Sequence, residues 1–256
     1  MLTAAQNLVP VFLLVFFRLA GMALFAPLFG SARIPKRVRL LLILTLAMAM
    51  TTSVKPPPQL PDNAWDAAIG IGGEMAFGLA MGTIMSFVFI ACQWAGEIIG
   101  QQMGLNLGEV FDPSFGAQAS LIGDLYFMLT LVVFLAVGGH RVMLQAVHTS
   151  FEVLPLLSLG MNASLLHLLT GLLQSSTIMA MRLAAPMLIT MLVVDLILGL
   201  IGKTVPQMNV MAAGLSLRSA VGMFVVIIGL TLTTRVMRES VLQSMQTVWD
   251  QWSGVQ

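Results

Sequence analysis

Charged side chains are scarce in this sequence: they make up 9% of 256 residues, against about 25% in an ordinary soluble domain. With 58% of the residues hydrophobic, a water-soluble fold would lack the polar surface to cover itself. The apolar runs extend along the whole chain and leave no polar stretch long enough for an extramembrane domain. Net charge is only +1, and no basic tract interleaved with aromatics occurs, so the electrostatic footprint of a nucleic-acid binder is missing. A single cysteine, Cys92, excludes an intrachain disulfide and a multi-cysteine metal site; inside an apolar run it reads as a small buried hydrophobe. There is no His-Glu-x-x-His, no phosphate-cradling Gly-x-x-x-x-Gly-Lys and no Gly-x-Ser-x-Gly elbow. His140, His148 and His167 lack cysteine or carboxylate companions at ligand spacing. No metal, cofactor or enzyme chemistry is expected. Residues 1–7 carry no Lys or Arg, and no small-residue cleavage site follows the first apolar run, so that segment is expected to stay in the mature protein.

What is abundant is apolar helix. Runs near the roughly 20 residues needed to cross a bilayer fall at 8–29, 38–54, 64–91, 121–137, 183–201 and 220–234, giving six long helices as a minimum. The stretch 165–181 is apolar but interrupted by His167, Gln174 and Ser175. Joined to the next run as far as Lys203 it would be about 58 Å long at 1.5 Å per residue, so either it breaks near Pro186 or part of it leaves the membrane. Pro56, Pro57, Pro58 and Pro61 mark a firm boundary. Arg33, Lys36, Arg37 and Arg39 crowd the first connection, which by the positive-inside bias faces the cytoplasm and puts the N-terminus outside. Lys203 and Arg218 suggest the same side for the late loop, whereas Arg235 and Arg238 blur the assignment.

Arg18, Glu74, Asp124, Arg182 and Asp195 lie in or beside apolar segments, where each costs about 2.5–3.5 kcal/mol at a helix centre. They fit either an ion or substrate path or pairing between helices and neighbouring chains; their scattered spacing favours pairing. Glycine recurs at every fourth position in Gly96-Glu-Ile-Ile-Gly100-Gln-Gln-Met-Gly104-Leu-Asn-Leu-Gly108, a stripe on one helical face. Each such glycine costs about 1 kcal/mol relative to alanine, which close helix packing compensates unless the segment must bend. Next come Glu109-Val110-Phe111-Asp112-Pro113-Ser114-Phe115-Gly116, a tight loop presenting two aromatics around an Asp-Pro turn signal. Irregular backbone at membrane depth needs protein or a water-filled cavity around it. Phe111 and Phe115 are thus either a channel closure or part of an ordinary surface connection. The 20 methionines suit irregular or changing contacts, although core filling accounts for any single one.

Several pieces taken together, Phe17-Arg-Leu-Ala-Gly-Met, Pro27-Leu-Phe-Gly, Ile34-Pro-Lys-Arg-Val-Arg, the glycine stretch from Gly96, Phe111-Asp-Pro and Val205-Pro-Gln-Met-Asn-Val, resemble the FliR family of flagellar export-gate subunits. The resemblance spans nearly the whole chain. Injectisome secretion systems have a related subunit, but the Phe111 and Pro206 pieces look more like the flagellar branch.

The resemblance implies an all-α, multi-helix integral membrane protein whose helical hairpins pack into an oligomeric export gate with FliP and FliQ, with FlhB docked at the cytoplasmic side. It implies a FliP-like part at 1–182 and a FliQ-like hairpin and tail at 183–256, turning at 203–215. It places the protein in the bacterial inner membrane, at the flagellar basal body, with exported flagellar proteins as cargo. In the family the loop after the glycine stretch plugs the pore; the matching positions are Val110, Phe111, Asp112, Pro113, Ser114, Phe115 and Gly116, within a loop at about 106–118. Gly96, Gly100, Gly104 and Gly108 would then be its flexible base or a packing face, and the scattered charges would find partners on neighbouring chains. Two rivals stand beside this reading: a small-molecule or ion transporter working through Asp124 and Asp195 at discontinuous helices, and a purely structural scaffold.

Overall fold

A computed structural model of the chain describes residues 2–27, 29–30, 34–57, 63–105, 120–157, 163–204 and 210–252. Among these there are seven helices and no strand: α1 (Leu2–Phe25), α2 (Lys36–Thr51), α3 (Ala64–Gln102), α4 (Leu121–Ala136), α5 (Gly139–Val153), α6 (Ala163–Thr204) and α7 (Val210–Trp252). The chain is therefore an all-α protein, and four of its helices are long and apolar enough to cross a membrane, or five if α4 and α5 form one broken span.

Each expected apolar run falls on a helix; α3, α6 and α7 are longer than their runs, whereas α1, α2 and α4 stop at Phe25, Thr51 and Ala136, short of the expected ends. Helix α6 is 42 residues long and continues unbroken past Pro186. The proline removes one N–H from the ladder, a loss that neighbouring helices tolerate in membrane segments. Its continuity carries the backbone through 182–183 without a turn. The expected turn at 203–215 is also mostly helix, since α6 runs to Thr204 and α7 restarts at Val210. Lys36, Arg37 and Arg39 belong to the first turn of α2 rather than to a loop, because the Pro35 carbonyl accepts the N–H groups of Val38 and Arg39 at 3.0 and 3.1 Å. A cation at a helix N-terminus opposes the helix dipole, so these charges are not there to stabilise α2. Helix α5 was not expected: it is too polar and too short to register as an apolar run.

The described residues cluster into two compact units. One holds α1, α2, α5, α3 up to Phe87, α6 up to Leu172 and α7 from Leu242. Val11, Val15, Leu19 and Met22 line the buried face of α1 at helical spacing, and Met143, Ala146, Val147 and Phe151 do so on α5. Helices α1 and α3 meet backbone to backbone at Gly78 and Gly82: a Cβ on either would collide with the carbonyl oxygen of Arg18 or Met22. This is the close approach that a Gly-x-x-x-Gly pair permits.

The other unit holds α3 from Val88, α4 up to Phe134, α6 from Leu173 and α7 up to Val241. Phe89 packs on Phe127 and Phe134 with ring centroids 5.7 and 5.4 Å apart. The hairpin is antiparallel, since Asp195 pairs with Arg218 while Met187 and Leu198 lie against Gly222 and Gly214. Only 28% of the apolar stretch of α6 and 11% of that of α7 is buried within the chain, against 61% for α3. Those two surfaces need lipid or protein to cover them.

The α1–α3 contact yields a test. Gly78→Leu should lower the unfolding temperature in detergent by several degrees, through overpacking worth about 1–3 kcal/mol. Gly72→Leu, on the same helix with open space around it, should leave the melting curve within a degree or so of the parent. Equal melting of the two variants would contradict the close approach.

Candidate functional site

Arg18 is wholly buried, and every part of its guanidinium is engaged. Its Nε donates to Glu74 Oε2 at 2.5 Å. Its Nη1 lies within 3.2–3.4 Å of the Leu154 carbonyl, the Ser150 carbonyl and the Ser150 hydroxyl, and Nη2 reaches the Leu154 carbonyl at 3.2 Å. The other Glu74 oxygen accepts the Leu157 N–H at 2.9 Å, holding a leucine at φ 67°, where non-glycine residues are uncommon. Phe77 and Phe151 stack on the cation, 4.8 and 4.4 Å from its carbon. A buried ion pair offsets its desolvation only when the remaining donors and acceptors are satisfied, as they are here. The node joins α1, α3 and α5, and leaves no free charge to bind or relay an ion. The sequence flagged Arg18 and Glu74; it missed Phe77 on α3, and Ser150, Phe151 and Leu154, whose signal was the helical period of α5.

The other intramembrane charges are placed differently. Asp195 and Arg218 pair at 2.6 Å across the α6–α7 hairpin, each about two-fifths exposed. Arg182 is exposed and Asp124 half-buried; among the described residues neither makes an ion pair. Lys36, Arg37 and Lys203 are exposed and Arg39 is half-buried, while Arg33 lies outside the described residues. No group of three or more His, Cys, Asp or Glu side chains among the described residues is arranged to hold a metal ion. Cys92 is a buried free thiol.

The glycine stretch does not stay on one helix. Gly96 lies against α4, where a Cβ would come within 2.6–2.8 Å of the Ile122 carbonyl and the Gly123 backbone. Helix α3 ends at Gln102, and Gly104 adopts φ 75°. The Leu105 N–H bonds the Gly100 carbonyl at 3.1 Å and the Gly104 N–H bonds the Gln101 carbonyl at 3.0 Å. Together these are the two bonds of a Schellman cap, which needs a left-handed residue at the position Gly104 fills. Met103, wholly buried, sits against Gly222 and Met187, and its carbonyl accepts the Ser219 hydroxyl at 2.9 Å. Gly108 and the loop residues Val110, Phe111, Asp112, Pro113, Ser114, Phe115 and Gly116 lie outside the described residues.

Comparison of the sequence with known proteins finds one group of relatives. Residues 9–244 match the family described as bacterial export proteins, family 1. The chain is 30% identical over 245 residues to the flagellar biosynthetic protein FliR of Bacillus subtilis, covering 94% of each chain. It is 28% identical to the FliR of Aquifex aeolicus, over 88% of this chain and 87% of that one. It is also 28% identical to the surface presentation of antigens protein SpaR of Shigella flexneri, over 84% of this chain and 82% of the relative.

The buried node makes a prediction that separates a staple from an ion path. Arg18→Met leaves Glu74 charged and alone, which costs about 3–5 kcal/mol, so the folded protein should be lost from detergent extracts or melt far below the parent. Pairing it with Glu74→Leu should restore part of the stability, because no charge is then left buried, although the Leu157 N–H and the Leu154 carbonyl lose their partners. If thermal unfolding shows the double variant no better than Arg18→Met alone, the charge-pair account of this core is wrong.

Proposed function

Because this chain belongs to the bacterial export proteins of family 1, we propose that it is one subunit of the flagellar export gate in the bacterial inner membrane. In this reading it forms, with FliP and FliQ, the channel through which unfolded flagellar proteins cross. The observation that carries it is the match to flagellar relatives along nearly the full length of both chains. A physical feature supports the same reading: most of the apolar surface of α6 and α7 is left uncovered by the chain itself, as expected of a part made to be enclosed by sister subunits.

The chain supplies shape and not chemistry. Residues 1–182 act as the FliP-like part and 183–256 as the FliQ-like hairpin and tail. Phe111 and Phe115, carried by the loop at 110–116, close the channel at rest and move aside when cargo passes. Asp124 and Arg182, which lack an ion-pair partner among the described residues, are the charges we assign to contacts with neighbouring subunits. The basic groups at Lys36, Arg37, Arg39 and Lys203 face the cytoplasm, the side on which FlhB docks.

Two measurements test this. Co-expressed with FliP and FliQ, the chain should purify in one complex of defined intact mass, and it should move no solute when reconstituted alone. Removing residues 110–116 should then raise the ion leak of the resting complex well above the parent. A lone chain that carries solute across vesicles would sink the proposal; an intact complex whose leak ignores the deletion would remove only the closure.

A further inference from the structure

In the second compact unit a cleft lies between α3, α4 and the α6–α7 hairpin. Ile99, Leu183 and Met187 belong to its buried walls, and Arg182, Pro186 and Leu232 form an exposed rim. Its volume is about 80 Å³, room for roughly five water molecules. Water is a poor filling, since a held water needs about two to four polar partners and only Arg182, Tyr126 and Thr233 among the lining residues are polar. Glycine at 229 keeps the cleft open: a Cβ there would meet nothing within 4 Å.

The rim carries a charge without a counter-ion. Arg182 is exposed and makes no ion pair among the described residues. Beside it, Leu232 continues a ridge with Ile228 and Phe224 at four-residue spacing, all three exposed, on a helix whose apolar stretch is only 11% buried. Whatever covers that ridge also covers the cleft and strips water from Arg182. A guanidinium that loses its water requires an acceptor of opposite charge, and a carboxylate matches its planar fork with two parallel bonds. A phospholipid tail is several times bulkier than the cleft and would leave most of its length outside, whereas one large apolar side chain fills it.

We propose that this cleft is a socket for a neighbouring subunit, which inserts one large apolar side chain and carries a carboxylate about one helical turn away on the same helix. Arg182 pairs with that carboxylate, and Gly229 leaves the room for the inserted side chain. The inference rests on the reading of the chain as part of an assembly with FliP and FliQ, and it gives one contact of that assembly a chemical form.

The test uses the chain co-expressed with FliP and FliQ. Gly229→Leu fills the socket from within, and Arg182→Glu reverses the charge at its rim. Gly72→Leu, equally open and no part of the cleft, is the control. With parental amounts of the chain in the membrane, Gly229→Leu and Arg182→Glu should each lower the recovered complex by about tenfold, and Gly72→Leu should match the parent. A photoreactive benzophenone group introduced at Leu232 identifies the occupant. In the parent complex it should attach to an apolar residue of a neighbouring subunit one turn from an Asp or Glu, and exchanging that acid for Lys should restore the Arg182→Glu complex. Attachment to lipid alone, or parental recovery of either Gly229→Leu or Arg182→Glu, overturns the socket. If Gly229→Leu fails to accumulate in the membrane, the charge exchange decides, and a complex that it does not restore overturns the proposal. A parent chain that does not copurify with FliP and FliQ removes the assembly reading itself, and the socket with it.

Discussion

A guanidinium placed in an apolar interior dictates what surrounds it. Arg18 has no access to water, so its charge and its donors must all be met by protein. Glu74 meets the charge, which requires α1 and α3 to approach closely, and glycine at 78 and 82 removes the side chains that would hold them apart. The remaining donors point at the carbonyls of Ser150 and Leu154, at the C-terminal end of α5. A helix leaves acceptors unsatisfied there and carries the negative end of its dipole, so one cation closes that helix end while it binds α3. Even the turn after α5 belongs to the node, since Leu157 is held by the second oxygen of Glu74.

The second unit is built on another principle. Among its described residues the one ion pair, Asp195 with Arg218, is part-exposed, where such pairs contribute little. Its contacts are aromatic edges, a backbone approach at Gly96, side chains of Met103 and Met187 against Gly222, and the thioethers of Met103, Met187 and Met191, all three almost wholly buried. Methionine adapts to a changed neighbour without a large penalty, whereas a buried ion pair tolerates little displacement. Residues that must hold one geometry thus surround Arg18. Those that can repack surround the end of α3.

Much of this was legible in the sequence, and the gaps have physical causes. The apolar runs located all the helices except α5, because long hydrophobic segments have few alternatives to helix in a membrane. Helix α5 escaped since its polar residues, including His140, Arg141, His148 and Glu152, dilute the average, while its period of buried positions at Met143, Val147 and Ser150 carried the signal. Helix lengths were underestimated wherever polar helix formers extend an apolar run, as Arg238 and Glu239 do in α7. Arg18 and Glu74 stood out as charges out of place; that they join each other across 56 residues is a tertiary fact no local pattern contains. The glycine stripe misled because periodicity continues through Gly104 although the helix does not. One glycine packs a helix, another ends it, and spacing alone does not distinguish the two uses.

Length decides what covers the hairpin. The exposed apolar side chains of α6 run from Leu173 to Ile201, about 42 Å at 1.5 Å per residue, whereas a hydrocarbon core is about 30 Å thick. To hide that whole length in lipid, the helix would have to tilt by about 45°, beyond the roughly 0–40° over which membrane helices are found. Lipid therefore covers part of it at most. The remainder, about 12 Å of apolar helix, requires another polypeptide. A transporter complete in one chain has no reason to leave such a surface open. A subunit whose channel is made jointly with its neighbours does, since the surface that would be a liability in isolation is the one along which the assembly closes.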